Sequence, residues 1–209
     1  MKKYIVEFIG TFFLVLAVGM NVIGNDPGNF LPPLAIGATL MVMIFAGGHI
    51  SGGHYNPAVT LAVWLRGRCA TKDVPGYMIA QLLAAVVAAK LTLMFKGNPV
   101  VPAMTPNIGN AVLAEFIGTF ALAYVILNVA TAKGTANNSF YGLAIGFTVV
   151  SMAFALGGIS GGAFNPAVAV GITLMGLAKS ANLWIYLVGN LAGGAVAALT
   201  FKSLNSDDK

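Results

Sequence analysis

Residues Leu34 to Val59 read LAIGATLMVMIFAGGHISGGHYNPAV and Leu143 to Val168 read LAIGFTVVSMAFALGGISGGAFNPAV, which gives 17 identities in 26 positions at an offset of 109. The echo extends to VEFIGTFFL at 6–14 against AEFIGTFAL at 114–122, and to Tyr77 and Gln81 against Tyr186 and Asn190. A repeat this long and this well kept makes the chain two copies of one unit, about 1–105 and 106–209. Any fold assigned to one half must therefore serve for the other.

Composition decides the solvent of those units. Of the 209 residues 58% are hydrophobic and only 8% charged, with a mean hydropathy of +0.86, whereas a soluble domain carries about 25% charged residues. A soluble globular enzyme is excluded. Apolar runs recur at Ile5 to Ile23, Leu34 to Ala46, Tyr77 to Phe95, Ala111 to Ala130, Phe140 to Leu156 and Leu183 to Phe201. Most approach the roughly 20 residues needed to cross a hydrocarbon core of about 30 Å. The first run, behind Lys2 and Lys3, is longer than the apolar core of a signal peptide, contains Glu7 and ends at no clean cleavage site. The breaks are turn-rich, as in Asn25-Asp26-Pro27-Gly28-Asn29, Gly97-Asn98-Pro99 and Gly134-Thr135-Ala136-Asn137-Asn138, and none is long enough for a domain. The expectation is an all-α membrane protein with six transmembrane helices.

The net charge of +5 comes from Lys and Arg scattered near the ends of apolar runs, with no stripe to meet nucleic acid. With six crossings, one side collects Lys2, Lys3, Arg66, Arg68, Lys72, Lys133, Lys202 and Lys209, and the other only Lys96 and Lys179. By the positive-inside rule both termini are cytoplasmic, in a plasma or inner membrane. Lys90, in the third span, is expected to snorkel to the outer interface. The single cysteine, Cys69, matches no disulfide or metal spacing and is read as structural.

Each copy holds three crossings, and because three is odd the second copy enters the membrane from the opposite side. Inverted repeats share a site near the midplane, where broken helices meet. Between the second and third spans of each copy lies a Gly-rich stretch, Gly47 to Gly53 or Gly157 to Gly162, followed by Asn-Pro-Ala and roughly ten mostly apolar residues. That piece is too short to span. Asn at an N-cap followed by Pro at the first helical position is a strong helix start. Asn56, Pro57 and Ala58, and Asn165, Pro166 and Ala167, are therefore read as the starts of two re-entrant half-helices.

An irregular backbone at membrane depth is tolerated only where it is buried in protein or lines a watery cavity. Two such stretches facing each other predict a pore. The half-helix N-termini, each worth about +0.5 charge, meet at its centre and repel cations and protons. Asn56 and Asn165 offer N–H donors to neutral molecules with oxygen acceptors, and the carbonyls of Gly52, Gly53 and His54, with those of Gly161, Gly162 and Ala163, offer acceptors.

With its paired Ser-Gly-Gly and Asn-Pro-Ala segments, the chain resembles the aquaporins, the major intrinsic protein family, over essentially its whole length. The resemblance implies six spans, two half-helices, one pore per subunit and a homotetramer. Most members of the family place Arg directly after the second Asn-Pro-Ala; here that residue is Val168. By alignment to the family motif, the other positions of the outer constriction fall on Ile36, Ala153 and Gly162, where water channels often carry an aromatic, a His and a small residue. A constriction of Ile, Ala, Gly and Val is expected to be apolar and wider than a water-specific filter. Glycerol facilitators usually carry Asp after that Arg, and here the residue is Ala169, so neither substrate class fits cleanly.

Glu7 and Glu115 occupy matching places in the first span of each copy. An ionised carboxylate inside a membrane helix costs about 2.5 to 3.5 kcal/mol unless paired. Both are read as buried acceptors that anchor the backbone N–H groups of the Gly-rich loops. His54 resembles the family's pore-side histidine and His49 faces the cytoplasmic vestibule; neither has companions for a metal site. Small residues such as Ala84, Ala85, Ala88, Gly189, Gly193 and Gly194 are read as allowing close helix packing. No nucleotide loop or nucleophile motif points to an enzyme or a cofactor. The leading function is passive passage of water or small neutral solutes, among them glycerol, urea, ammonia and hydrogen peroxide. A secondary transporter, which shares inverted repeats, and a structural membrane protein with a closed pore are the alternatives.

Overall fold

The computed structural model describes residues 1–26 and 29–208; Pro27 and Gly28 of the first turn, and Lys209 of the basic count, lie outside them. Among the described residues eight α-helices follow one another: α1 (Lys2–Val22), α2 (Leu31–Ser51), α3 (Pro57–Leu65), α4 (Val74–Phe95), α5 (Ile108–Thr131), α6 (Tyr141–Ser160), α7 (Pro166–Leu174) and α8 (Leu183–Leu204). Six are long and apolar enough to cross a membrane. The half-helices α3 and α7 have nine residues each, about 13 Å at 1.5 Å per residue, less than half a bilayer core.

The long helices overrun the apolar runs. The second span begins at Leu31, because Pro32 and Pro33 sit in its first turn, where a missing N–H costs nothing. It continues to Ser51, and α6 likewise to Ser160, so Gly47, Gly48, Gly157 and Gly158 are helical and do not belong to the irregular stretch expected there. The irregular backbone shrinks to 52–55 and 161–164. Glycine at 47 is retained for contact: a Cβ there would lie 2.2 Å from the Tyr55 hydroxyl, which donates to the Met43 carbonyl at 2.9 Å.

Packing follows the repeat. Helix α1 lies on α4 as α5 lies on α8, α2 meets α6, and each half-helix packs on the last long helix of the other copy, α3 on α8 and α7 on α4. Lipid-like surroundings supply no hydrophobic drive between apolar helices, so close backbone approach must supply dispersion contact instead. At the α2–α6 crossing a Cβ on Gly37 would come within 2.5 Å of the Gly146 carbonyl, and one on Gly146 within 2.6 Å of the Gly37 carbonyl. Ala84, Ala85 and Ala88 are fully buried, and a Cβ on Gly194 would lie 2.6 Å from the Ala58 carbonyl.

Ion pairs gather on the face that carries both termini. Lys3 pairs with Asp73, which also accepts from the Tyr4 hydroxyl at 2.9 Å. Arg66, at the C-terminus of α3, is buried, lies 4.7 Å from the Phe201 ring centroid and donates to Asp208 at 2.7 Å. The other Asp208 oxygen accepts from the Lys133 backbone N–H at 2.7 Å, so the C-terminal tail straps α3 to the α5–α6 loop. In the sequence alone Arg66 is no more than a topology signal.

Two predictions follow from these contacts. Replacement of Gly146 by Val drives a side chain into the α2 backbone and lowers stability by about 3 kcal/mol, measured by thermal unfolding in detergent. The Lys133 N–H and then the Arg66 guanidinium hold the Asp208 carboxyl below the usual carboxylate range. A depressed folded value means that the strap is intact above the unfolded value of about 3.9 and is lost as pH falls through the folded one. A spin label at Ser206 is therefore immobile at neutral pH and mobilised only in acid below about 3.9, whereas Asp208→Asn mobilises it at neutral pH.

Candidate functional site

The site is built from two loops that fold alike. After α2 the chain passes through Gly52 (φ 90°) and Gly53 (φ 63°) and then sets Tyr55 at φ 49°; after α6 it passes through Gly161 (φ 96°) and Gly162 (φ 64°) and sets Phe164 at φ 48°. A left-handed conformation at a bulky residue persists only where its surroundings enforce it. A carboxylate enforces it here. Glu7 Oε1 accepts from the His54 N–H at 2.9 Å and the Ser51 hydroxyl at 2.7 Å, while Oε2 accepts from the Tyr55 N–H at 2.6 Å and Gln81 Nε2 at 2.8 Å. Glu115 repeats the pattern with the Ala163 N–H at 2.9 Å, the Ser160 hydroxyl at 2.7 Å and the Phe164 N–H at 2.7 Å. Both glutamates are fully buried. Tyr77 and Tyr186 complete each loop by donating to the carbonyls of Ser51 and Ser160 at 2.6 and 2.7 Å.

The left-handed turn delivers the chain into Asn56 and Asn165, which cap α3 and α7. Asn56 Oδ1 accepts from the N–H groups of Ala58 at 2.8 Å and Val59 at 3.4 Å, and Asn165 Oδ1 from those of Ala167 at 2.9 Å and Val168 at 3.4 Å. Pro57 and Pro166 stand at the first helical position, where no N–H is missed. Each Asn then reaches across: Asn56 Nδ2 donates to the Phe164 carbonyl and Asn165 Nδ2 to the Tyr55 carbonyl, both at 2.9 Å. One hydrogen of each amide is thereby used to lock the two loops together, and one is left for a guest.

A cavity of about 380 Å³ runs beside these amides. Asn56 and Asn165 line it, as do Ile36, Ala153, Gly162 and Val168, and so do Gly53, His54, Gly161 and Ala163. Gly52 lies instead on a second cavity of about 740 Å³ toward the termini face, which His49, Cys69, Asp73 and Lys133 also line. The two cavities share Ile44, His54, Ile126 and Ile145, which form a neck. Pro57, Ala58, Pro166 and Ala167 are buried and do not line the cavity. Lys90 is exposed on α4 and enters neither cavity. Among the described residues no cluster of His, Cys, Asp or Glu could hold a metal.

Some contributors escaped the sequence reading. Asn25 and Asn29, read only as turn residues, line the mouth of the first cavity, and Asn29 Nδ2 donates to Asn25 Oδ1 at 2.7 Å. Thr60, in the first turn of α3, bonds to Asn56, Gln81 and His54. Only the absence of its hydroxyl from the matching position, Ala169, marks it in the sequence.

Opposed half-helices beside a cavity in a bundle of six membrane-length helices are the architecture of an integral, multi-pass channel. Comparison with known proteins agrees: the family model for Major intrinsic protein matches residues 1–201. Relatives include "Aquaporin NIP1-4" of Oryza sativa subsp. japonica, 38% identical over 96% of this chain and 76% of the relative. "Glycerol uptake facilitator protein-like 6" of Lactiplantibacillus plantarum is 35% identical, with both chains covered in full. Among solved structures, the aquaglyceroporin from Plasmodium falciparum superposes with a TM-score of 0.82 at 23% identity, covering 97% of this chain and 96% of that one, a likeness of fold. The chain belongs to the major intrinsic protein family.

If Glu115 is the anchor of its loop, Glu115→Ala orphans the buried N–H groups of Ala163 and Phe164. Each loses about 2 kcal/mol of bonding. Amide exchange at these two positions then accelerates roughly thirtyfold over the wild type, while exchange in the matching loop at His54 and Tyr55 stays slow.

Proposed function

We propose that this protein is a passive channel for water and small neutral solutes, with ions and protons rejected where the two half-helices meet. The observation that carries the reading is the crossed pair of Asn amides, each capping one half-helix, bonded to the opposite loop and bordering the cavity. Two helix N-termini directed at one point place positive potential there without any titratable group, which disfavours cations and leaves dipolar molecules free to bind. The carbonyls of Gly53, His54, Gly161, Gly162 and Ala163, with that of Gly52 at the wider cavity, are the acceptors along the path. Secondary transport would need a coupling charge at the midplane; Glu7 and Glu115 are instead committed to the loops.

The outer constriction in this reading is Ile36, Ala153, Gly162 and Val168. None is charged or aromatic, and all four border one cavity. Such a ring is wide and offers apolar walls to the carbon skeleton of a solute such as glycerol. The name of the Lactiplantibacillus plantarum relative, a glycerol uptake facilitator, supports that permeant class. Two inverted units, about 1–105 and 106–209, assembly as a homotetramer in a plasma or inner membrane, and cytoplasmic termini complete the proposal. The last is supported by the basic residues Lys3, Arg66, Arg68 and Lys133 on the termini face.

Stopped-flow light scattering on proteoliposomes, with an impermeant osmolyte and then with glycerol, tests the reading. Wild-type protein is expected to pass both water and glycerol, and Val168→Arg to cut glycerol flux at least tenfold while retaining water flux. Flux no higher than in empty liposomes would refute the channel.

A further inference from the structure

At the neck between the two cavities Ile44, Ile126 and Ile145 are apolar, and the one polar side chain on that ring is His54. Which of its nitrogens carries the proton decides what a permeant meets, and the hydrogen bonds behind it allow one answer. The Glu7 carboxylate can only accept, so Gln81 must present its amide nitrogen and not its oxygen to Glu7 Oε2, which leaves Gln81 Oε1 buried without a partner. The second hydrogen of that nitrogen then points to Thr60 Oγ1, at 3.0 Å. Thr60 has one hydroxyl hydrogen, and a carbonyl, that of Asn56 at 3.0 Å, can only accept it. The remaining lone pair of Thr60 Oγ1 faces His54 Nδ1 at 3.2 Å and can only accept.

We infer that Thr60, oriented by Gln81 and Glu7, holds His54 in the Nδ1–H tautomer, so that the bare Nε2 serves the neck as a hydrogen-bond acceptor for permeants that carry O–H or N–H groups. Nε2 makes no hydrogen bond to the described protein and is not among the sealed polar atoms, so it keeps access to the cavity. A doubly protonated ring would bury a cation beside three isoleucines with no carboxylate bonded to the imidazole, at high cost. The second copy has no counterpart: Ala163 stands for His54 and Ala169 for Thr60. The path is therefore polar-asymmetric, with Asn donors at the centre and one nitrogen acceptor on the termini side. Thr60 is a positioning residue that never touches the permeant.

The specificity in this inference rests on the channel reading; the tautomer does not. Solid-state nitrogen NMR of histidine-labelled protein in bilayers, in a His49→Gln background that leaves one imidazole, reads the tautomer directly. The expected spectrum shows a protonated Nδ1 and a bare Nε2, kept in Thr60→Ser and converted to Nε2–H in Thr60→Val, where Nδ1 has lost its acceptor. With the donor form at the neck a glycerol hydroxyl must accept where it had donated, so glycerol flux in Thr60→Val shifts about fivefold, the worth of about one net hydrogen bond, and Thr60→Ser restores it. A wild-type ring with bare Nδ1, or with both nitrogens protonated, overturns the inference, and that spectrum decides it even if Thr60→Val does not fold. An Nδ1–H that survives Thr60→Val removes Thr60 from its role, and a converted tautomer with unchanged flux removes the specificity. A wild-type protein that passes nothing would refute the channel while leaving the tautomer answered by its own spectrum.

Discussion

Two buried carboxylates hold this structure open at its middle. A loop that crosses half a membrane and turns back exposes backbone amides that hydrocarbon cannot satisfy. Glu7 and Glu115 meet that demand with two backbone N–H bonds each. The same bonds fix Tyr55 and Phe164 in left-handed turns, and those turns aim the Tyr55 and Phe164 carbonyls at the Asn of the opposite loop. The cost of placing an acid in a membrane helix is offset where the acid's partners are amides that would otherwise be orphaned. Capping of the half-helices, their alignment and the shape of the cavity all depend on that arrangement.

Much of this was legible because the repeat constrained it. Three spans per copy imply inversion, and Asn-Pro at two matched positions implies two helix starts with no orphaned N–H; the structure has helices beginning at Pro57 and Pro166. Family membership and the all-helical bundle agree with the resemblance carried by those motifs. The matched positions of Glu7 and Glu115 were informative for the same reason, since an intramembrane acid kept in both copies needs a partner present in both.

Features outside the repeat were harder to read. Local pattern marks Gly47 to Gly53 as a breaker, but Gly47 and Gly48 stay helical, and at Gly47 Tyr55 packs where a side chain would otherwise be. Arg66 reads as one more interfacial cation, and only folding brings Asp208, 142 residues away, to meet it. The neck formed by Ile44, His54, Ile126 and Ile145 draws on three helices and a loop, and no window of sequence contains it. Asn25 and Asn29 look like turn formers, yet both line the first cavity.

With Val168 at the proposed outer constriction, the proposed channel leaves ion rejection to the centre of the membrane. There the paired N-termini of α3 and α7 act without a counter-ion and without a proton to lose. The most direct test is proton flux measured with a pH dye trapped in proteoliposomes under an imposed potential, alongside osmotic water flux in the same vesicles. Rapid water movement with proton leakage no greater than in empty liposomes is the predicted result. Proton flux that rises with the amount of protein would contradict exclusion at the half-helix junction.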